Sequence, residues 1–264
     1  MVSLVVLALA GCSTPRAVVS EKEAGKHRLT NEEKVGLTEQ MGYHEQSEFY
    51  YLFEYDNSNL YITLATFNQN LQRKIAQFGF TVWIDRTGGK NKEQGFRFPR
   101  GARITGDPSG RDINLSMMGY KIGPVNALLE RADEVDLIGI YGSSTRTLRM
   151  RDSQIRVSAE RIENMLFYEA VVPFELLKFG FNPLAGRTSM NIGLETGFFE
   201  LPSSSRSAAP DYGRRPRGGT TPGGRMSGQV PQRFPDSGMM QQRSENMGEL
   251  SRPTRLWLEL EFAP

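Results

Sequence analysis

Residues 49–64 read FYYLFEYDNSNLYITL, and this stretch decides the fold class. Aromatic residues recur at every second position from Phe49 to Tyr55, and aliphatic residues do the same from Leu60 to Leu64. The letters DNSN between the two runs supply residues that are favoured in tight turns. The period of two on both sides of a turn predicts a β-hairpin of two half-buried strands.

The rest of the chain continues this pattern of short strands. Helical spacing predicts short helices near 31–41, over 70–78 and over 125–132, and a helical turn over 173–179. Strong helices do not alternate with the strands, so parallel βαβ units are not supported. The prediction is an all-β fold, a jelly-roll-like antiparallel β-sandwich with a few short helices. Its further strands are expected over 78–84, 95–99, 135–141, 154–159, 166–172, 189–196 and 256–262.

The predicted domain organisation has four parts. Residues 1–12 are expected to form a signal segment, 13–46 a polar tether, and 47–264 a single β-sandwich domain. Inside that domain, 203–252 is rich in Gly, Pro and Ser and carries eight arginines against four acids, with almost no large aliphatic residue. Such a composition buries too little apolar surface to order a chain, so a disordered loop is predicted before the last strand. Loop closure costs grow only logarithmically with length, so the insertion is compatible with the fold.

The single cysteine of the chain follows an apolar run. Met1–Gly11 is too short for a membrane-spanning helix and suits the apolar part of a secretion signal. The sequence Leu9-Ala10-Gly11-Cys12 resembles the bacterial lipobox, which implies acylation of Cys12 and cleavage before it. Ser13, where inner-membrane retention usually calls for Asp, implies an outer-membrane lipoprotein, and we expect it to face the periplasm.

Composition excludes several classes of function. One cysteine excludes a disulfide scaffold and a multi-cysteine metal site, and two histidines, His27 and His44, exclude a His-rich site. The net charge of +2 gives no strong field toward nucleic acid, which is not an expected partner. The chain contains no GxSxG, Walker, HExxH or GxGxxG motif, so no catalytic residue is predicted and the protein is not expected to be an enzyme.

Three aromatic residues are candidates for ligand binding. Trp83, Trp257 and Tyr61 each lie on the opposite parity to the apolar residues of their strands, and outward rings can stack on a sugar or on a partner surface. The alternative is that these rings pack against loops. Asp56 and Asp85 end two predicted strands and offer oxygen ligands that suit calcium. The alternative for these two residues is an ordinary solvated turn.

Several short motifs occur in the order found in a known family. Tyr55–Ile62 (YDNSNLYI), Trp83-Ile84-Asp85 followed by Gly88-Gly89, and Tyr168-Glu169 with Pro173 together resemble family 9 carbohydrate-binding modules. The resemblance covers roughly 49–196 and the final strand. It implies a β-sandwich, sugar binding between aromatic rings in some members, and structural calcium as a common feature.

These observations predict a lipid-anchored, non-catalytic envelope protein, with carbohydrate as the ligand that the resemblance implies. One alternative is a protein-interaction or envelope-scaffold lipoprotein that uses its Arg/Gly-rich loop, 203–252, to contact an envelope protein. Another is a carbohydrate-active enzyme, which would require a concave pocket that holds two carboxyl groups. The expected partners are thus a membrane, held through the anchor, and a glycan or an envelope protein.

Overall fold

The computed structural model describes residues 14–22, 30–101, 124–177, 189–198 and 249–262. Nearly half of these residues lie in strands, and strands are the dominant element, as predicted. The helices are α1 (Asn31–Leu37), α2 (Gln69–Phe78) and α3 (Val125–Glu130), with short 3-10 turns at 38–40, 150–152 and 174–177. The strands are β1 (Arg16–Glu21), β2 (Gly42–His44), β3 (Phe49–Tyr55), β4 (Asn59–Thr66), β5 (Phe80–Asp85), β6 (Gly95–Arg97), β7 (Glu134–Ile138), β8 (Thr145–Arg149), β9 (Arg156–Ile162), β10 (Met165–Pro173), β11 (Ser189–Thr196) and β12 (Arg255–Phe262).

The strands form one sheet that curls back on itself. Its order is β8-β7-β6-β5-β11-β12-β1-β3-β4-β10-β9, with β2 added beside the start of β3. Five strands separate β5 from β10 in this order, yet the rings of Phe80 on β5 and Tyr168 on β10 lie 5.1 Å apart. The two halves of the sheet therefore face each other across a shared apolar core. This arrangement confirms the predicted all-β sandwich.

Strand β1 differs from the prediction in two ways. Residues 13–46 were expected to form a tether, but Arg16–Glu21 is an inner strand of the sheet. It also pairs in parallel with both of its neighbours, β12 and β3, so the sheet is mixed rather than wholly antiparallel. Only Ala17 and Val19 of this strand face the core. Two small apolar residues in six are too weak a pattern to recognise, and pairing on both edges stabilises the strand instead.

The hairpin that decides the fold forms as predicted. Strands β3 and β4 pair antiparallel from Tyr50 opposite Ala65 to Tyr55 opposite Leu60. Strand β2 pairs with β3 from Phe49 to Tyr51, and β1 pairs with it from Val19 onward. Because β4 occupies one edge of β3, β1 and β2 share the other edge. Strand β2 is thus a second ordered part of the predicted tether.

Helix α1 lies on the outer face of β9 and β10. It begins at a capping box in which Thr30 and Glu33 bond each other's backbone N–H groups. The side chain of Lys34 is only 2% exposed and forms ion pairs with Glu160 and with Glu169, the latter at 3.2 Å. Its ammonium group also lies over the ring of Phe167, 5.0 Å from the centroid. A small second apolar cluster stabilises the same contact: Met41, Ala65, Ile162, Met165 and Phe167.

Some predictions lie outside the described residues. Cys12 and the rest of the signal segment, 1–12, belong to this group, as do residues 203–248 of the predicted loop. The end of that loop is described. Residues 249–252 form a turn in which the carboxylate of Glu249 accepts a hydrogen bond from Asn70 at 2.6 Å. Among the described residues, no helix is long and apolar enough to cross a membrane.

Candidate functional site

Two tryptophans face outward on either side of a glycine. Strands β5, β11 and β12 are neighbours, and their register places Trp83 and Trp257 directly opposite Gly193. Adjacent residues on the same strands, among them Val82 and Leu258, are fully buried in the core. Because side chains alternate across a strand, both indoles lie on the outer face. We call Trp83, Gly193 and Trp257 the tryptophan platform.

The indole of Trp257 lies flat on Gly193. A Cβ atom added to Gly193 would lie 2.8 Å from Cη2 and Cζ2 of Trp257 and 2.9 Å from Cζ3. A point almost equally far from three consecutive ring atoms lies over the face of the ring, not beyond its edge. Any other residue at Gly193 would displace the indole. One face of Trp257 thus contacts the strand, and its other face points away from the sheet.

A carboxylate next to the platform is held by three donors. Glu195 accepts hydrogen bonds from the indole N–H of Trp83 at 2.9 Å, from Lys92 at 2.6 Å and from Arg255 at 2.5 Å. Burial alone would raise the pKa of Glu195, but these hydrogen bonds outweigh it and hold the pKa below its usual value. The carboxylate therefore stays ionised at neutral pH and fixes the orientation of Trp83.

This arrangement combines two kinds of contact. Indole faces bind flat apolar surfaces such as the C–H face of a sugar ring. The carboxylate of Glu195 accepts hydrogen bonds, and Lys92 and Arg255 donate them. Flat rings beside fixed donors and acceptors suit an uncharged ligand with many hydroxyl groups. The site contains no nucleophile that is paired with a general base.

Tyr61 is not part of the platform. It lies on β4, which β1 and β3 separate from β12 in the sheet. Its hydroxyl donates a 2.5 Å hydrogen bond to Asp56, and the ammonium of Lys22 lies 4.1 Å from its ring centroid. Burial, and next the hydrogen bond to Asp56, raise the pKa of the phenol. Tyr61 was a candidate alongside Trp83 and Trp257, and the structure brings only the two tryptophans together.

Asp56 and Asp85 each close a turn of their own. Asp56 accepts from the backbone N–H groups of Ser58 and Asn59, both at 2.7 Å. Asp85 accepts from the N–H and the hydroxyl of Thr87, at 2.8 and 2.7 Å. Burial acts to raise the pKa of both carboxyls, but the hydrogen bonds lower it below the usual value. Asp56 directly follows β3 and Asp85 is the last residue of β5, and these two strands are not neighbours in the sheet. Within the described ranges, no group of three or more His, Cys, Asp or Glu side chains could hold a metal, and the calcium site stays a prediction.

A cleft of about 350 Å³ lies between β6, β7, α2 and α3. It bears on the alternative of a carbohydrate-active enzyme, because it contains Asp133, Glu134 and Asp136. The guanidinium of Arg100, however, forms ion pairs with Glu134 and with Asp136, the latter at 2.8 Å. A glycosidase needs one protonated carboxyl and one ionised carboxyl with separate roles. Glu134 and Asp136 instead both bind the one guanidinium of Arg100.

Sequence reasoning missed several residues that the fold exposes or assembles. Gly193 and Glu195 gave no signal, because their importance depends on which strands become neighbours. Tyr43 and Phe67 are 49% and 46% exposed, and both rings contact the ring of Tyr50 on the outer face. Tyr43 fell in the predicted tether, so its strand was not recognised. The signal that was available was the density of aromatic residues from 43 to 67.

Comparisons with known proteins find likeness among solved structures. No family model matches the chain, and no curated protein matches it. A solved structure of a family 9 carbohydrate-binding module from Caldicellulosiruptor kristjanssonii, in complex with glucose, is similar at a TM-score of 0.34 and 10% identity. The likeness covers 72% of this chain and 81% of that one. A likeness at this level implies nothing about the site.

Proposed function

We propose that the protein is a lipid-anchored, non-catalytic envelope protein that binds carbohydrate on the tryptophan platform. The observation that carries this proposal is the placement of Trp83 and Trp257 on one outer face, on either side of Gly193 and beside Glu195. A sugar ring would stack on the open face of Trp257. Its hydroxyl groups would then exchange hydrogen bonds with Glu195, Lys92 and Arg255.

Several features support binding over simple packing. Trp83 is held by a hydrogen bond to a charged acceptor, and Trp257 by the flat surface of Gly193, so both indoles are pre-oriented. Pre-orientation lowers the entropy cost of binding. Both indoles are half-buried, so an accessible surface remains on each. Packing alone would not require a charged cluster of Glu195, Lys92 and Arg255 beside the rings.

The lipid anchor rests on the sequence around Cys12. Acyl chains on the thiol of Cys12 would hold the domain at the membrane, since two or more chains give stable anchoring. We expect Cys12→Ala to release the protein from the membrane fraction or to leave its signal uncut, and wild type to partition into the detergent phase. Mass spectrometry of the purified chain measures the acylation directly. Equal partitioning of both proteins would refute the anchor.

The binding proposal is tested with the full chain on a glycan array of neutral hexose and N-acetylhexosamine oligosaccharides. The glycan that binds is then titrated against Trp83→Ala, Trp257→Ala and Gly193→Ala. We expect loss of binding in the first two variants. Gly193→Ala keeps both indoles but displaces Trp257, so weaker binding is expected there. Tyr141→Ala is the matched control, since Tyr141 is an aromatic residue that is 44% exposed and follows β7, which β6 separates from the platform strand β5.

The stability of each variant separates binding from packing. Urea denaturation shows whether Trp257→Ala is still folded under the conditions of the titration. Loss of binding by a folded variant supports the platform. Unchanged affinity in both tryptophan variants would refute it, as would an array on which no glycan binds. The scaffold alternative rests mainly on residues 203–248, outside the described part of the chain, and stays a prediction.

A further inference from the structure

Three aromatic side chains form an exposed cluster on the outer face of the sheet. Tyr43 on β2 and Tyr50 on β3 are cross-strand partners with ring centroids 4.6 Å apart. Phe67, just after β4, contacts Tyr50 edge to face at 5.8 Å. Tyr43 and Phe67 are each almost half exposed. We call Tyr43, Tyr50 and Phe67 the aromatic cluster. Contiguous exposed rings on a domain surface mark a place of contact.

The aromatic cluster lies at the end of the sheet where β1 begins. Strands β1, β3, β10 and β12 all begin at this end, and β4 and β9 end there. Strand β2, which carries Tyr43, borders the same edge of β3 as β1 does. In the sequence, Arg16 at the start of β1 is four residues after Cys12. Four extended residues span at most about 14 Å, so an anchor at Cys12 would hold the bilayer close to this end.

We infer that the aromatic cluster contacts the bilayer interface and orients the domain on the membrane. This inference rests on the lipid anchor of the proposed function. Tyr and Phe side chains are suited to the interface, because a ring enters the apolar layer while a hydroxyl stays among the headgroups. Val18, whose side chain lies on the outward side of β1, is 70% exposed and adds apolar surface to the same face of the sheet.

The charges around the cluster indicate which lipid it contacts. Arg16 is paired with Glu259 at 3.6 Å and with Glu261 at 3.1 Å, so it adds no unpaired positive charge. The carboxylate of Glu48 accepts a hydrogen bond from Asn68, the residue after Phe67, so it adds negative charge next to the cluster. Burial, and next the charge of Glu48, raise the pKa of Tyr43. A surface with paired arginine and nearby carboxylate suits zwitterionic phospholipid rather than anionic lipid. The partner we propose is therefore a zwitterionic bilayer surface.

The experiment uses the acylated full chain in vesicles of phosphatidylcholine with brominated acyl chains, which quench tryptophan emission at close range. Tyr43→Trp places a new indole in the cluster. Tyr141→Trp is the matched control, since Tyr141 is similarly exposed but follows β7 at the opposite end of the sheet. Emission of each variant is compared with that of wild type, so the signals of Trp83 and Trp257 are subtracted.

The added emission of Tyr43→Trp should be quenched by brominated lipid, and that of Tyr141→Trp should not. The cluster contact is overturned if brominated lipid leaves the added emission of the two variants equal while both chains are acylated and float with the vesicles. The anchor then stays intact. A wild-type chain that carries no acyl group and does not float overturns the anchor and the inference together. The inference is also overturned if the emission of Tyr43→Trp is not quenched by brominated lipid but shifts when a soluble oligosaccharide is added. The cluster would then be a glycan site.

Discussion

Leu258 on β12 tests which face of the last strand is buried. Leu256, Leu258 and Leu260 are 4% exposed or less, whereas Trp257 and Glu259 are half-buried on the outer face. Leu258→Ala removes a fully buried side chain from a strand that lies inside the sheet. Its neighbour on β11, Ile192, is fully buried as well and cannot move to fill the space without leaving its own contacts.

The expected loss of stability is large. Burial of Leu258 is complete, so the variant loses both the transfer free energy of the removed atoms and the contacts around a cavity, about 3–5 kcal/mol together. For a domain of this size that corresponds to a fall of roughly 6–20 °C in the melting temperature. Urea denaturation of the full chain, followed by circular dichroism, gives the free energy of unfolding for each variant.

Glu259→Ala is the control. Its carboxylate forms an ion pair with Arg16 in which both side chains are accessible to water, and such pairs contribute within about 1 kcal/mol. If Leu258→Ala left the free energy of unfolding unchanged and Glu259→Ala unfolded the protein, the two faces of β12 would be exchanged. The tryptophan platform would then point into the core, and the binding proposal would fail with the strand assignment.

Three further variants test interactions elsewhere in the domain. Lys34→Ala leaves Glu160 and Glu169 without their shared cation; water partly screens both carboxylates, so we expect a loss of about 1–3 kcal/mol in urea denaturation. Folding lowers the pKa of Asp85, so the ionised carboxylate stabilises the folded state. This contribution is fully present above the unfolded pKa, about 3.9, and is lost as the pH falls through the folded pKa. The melting temperature of Asp85→Asn should therefore fall less between neutral and acid pH than that of wild type, and an equal fall would contradict this. Tyr168 buries a hydroxyl that has no hydrogen-bond partner among the described residues, so Tyr168→Phe should leave stability unchanged or raise it by about 1 kcal/mol, whereas a marked loss would show a hidden partner.

The elements that could be predicted share a strong local pattern. The β3–β4 hairpin combines two runs of period two with a turn, and β12 alternates four apolar residues with three charged residues and Trp257. In such strands the amino-acid sequence alone shows which alternate side chains face the core. Helix α2 was predicted for the same kind of reason, since Leu71 and Ile75 share one face.

The elements that could not be predicted depend on distant partners. Strand β1 is ordered by pairing with β12, more than two hundred residues away, and its own sequence places only Ala17 and Val19 on the core-facing side. Strand β8, Thr145–Arg149, was missed because its side chains are mostly exposed. Gly193 became important only because β5 and β12 lie on either side of β11. Strand order is a tertiary property, so residues whose role comes from neighbouring strands give no local signal.

The position of β12 has a consequence for the time course of folding. Among the strands in the described part of the chain, β12 alone bonds to both β11 and β1, so it joins the group β8-β7-β6-β5-β11 to the group β1-β3-β4-β10-β9. Until β12 is in place, β11 and β1 each present an open edge that can recruit a strand from another chain. Joining β1 to β12 also closes almost the whole chain length into one loop, which slows folding. The molecule should therefore fold slowly, with β12 docking late. Its risk of aggregation should be greatest just before β12 docks.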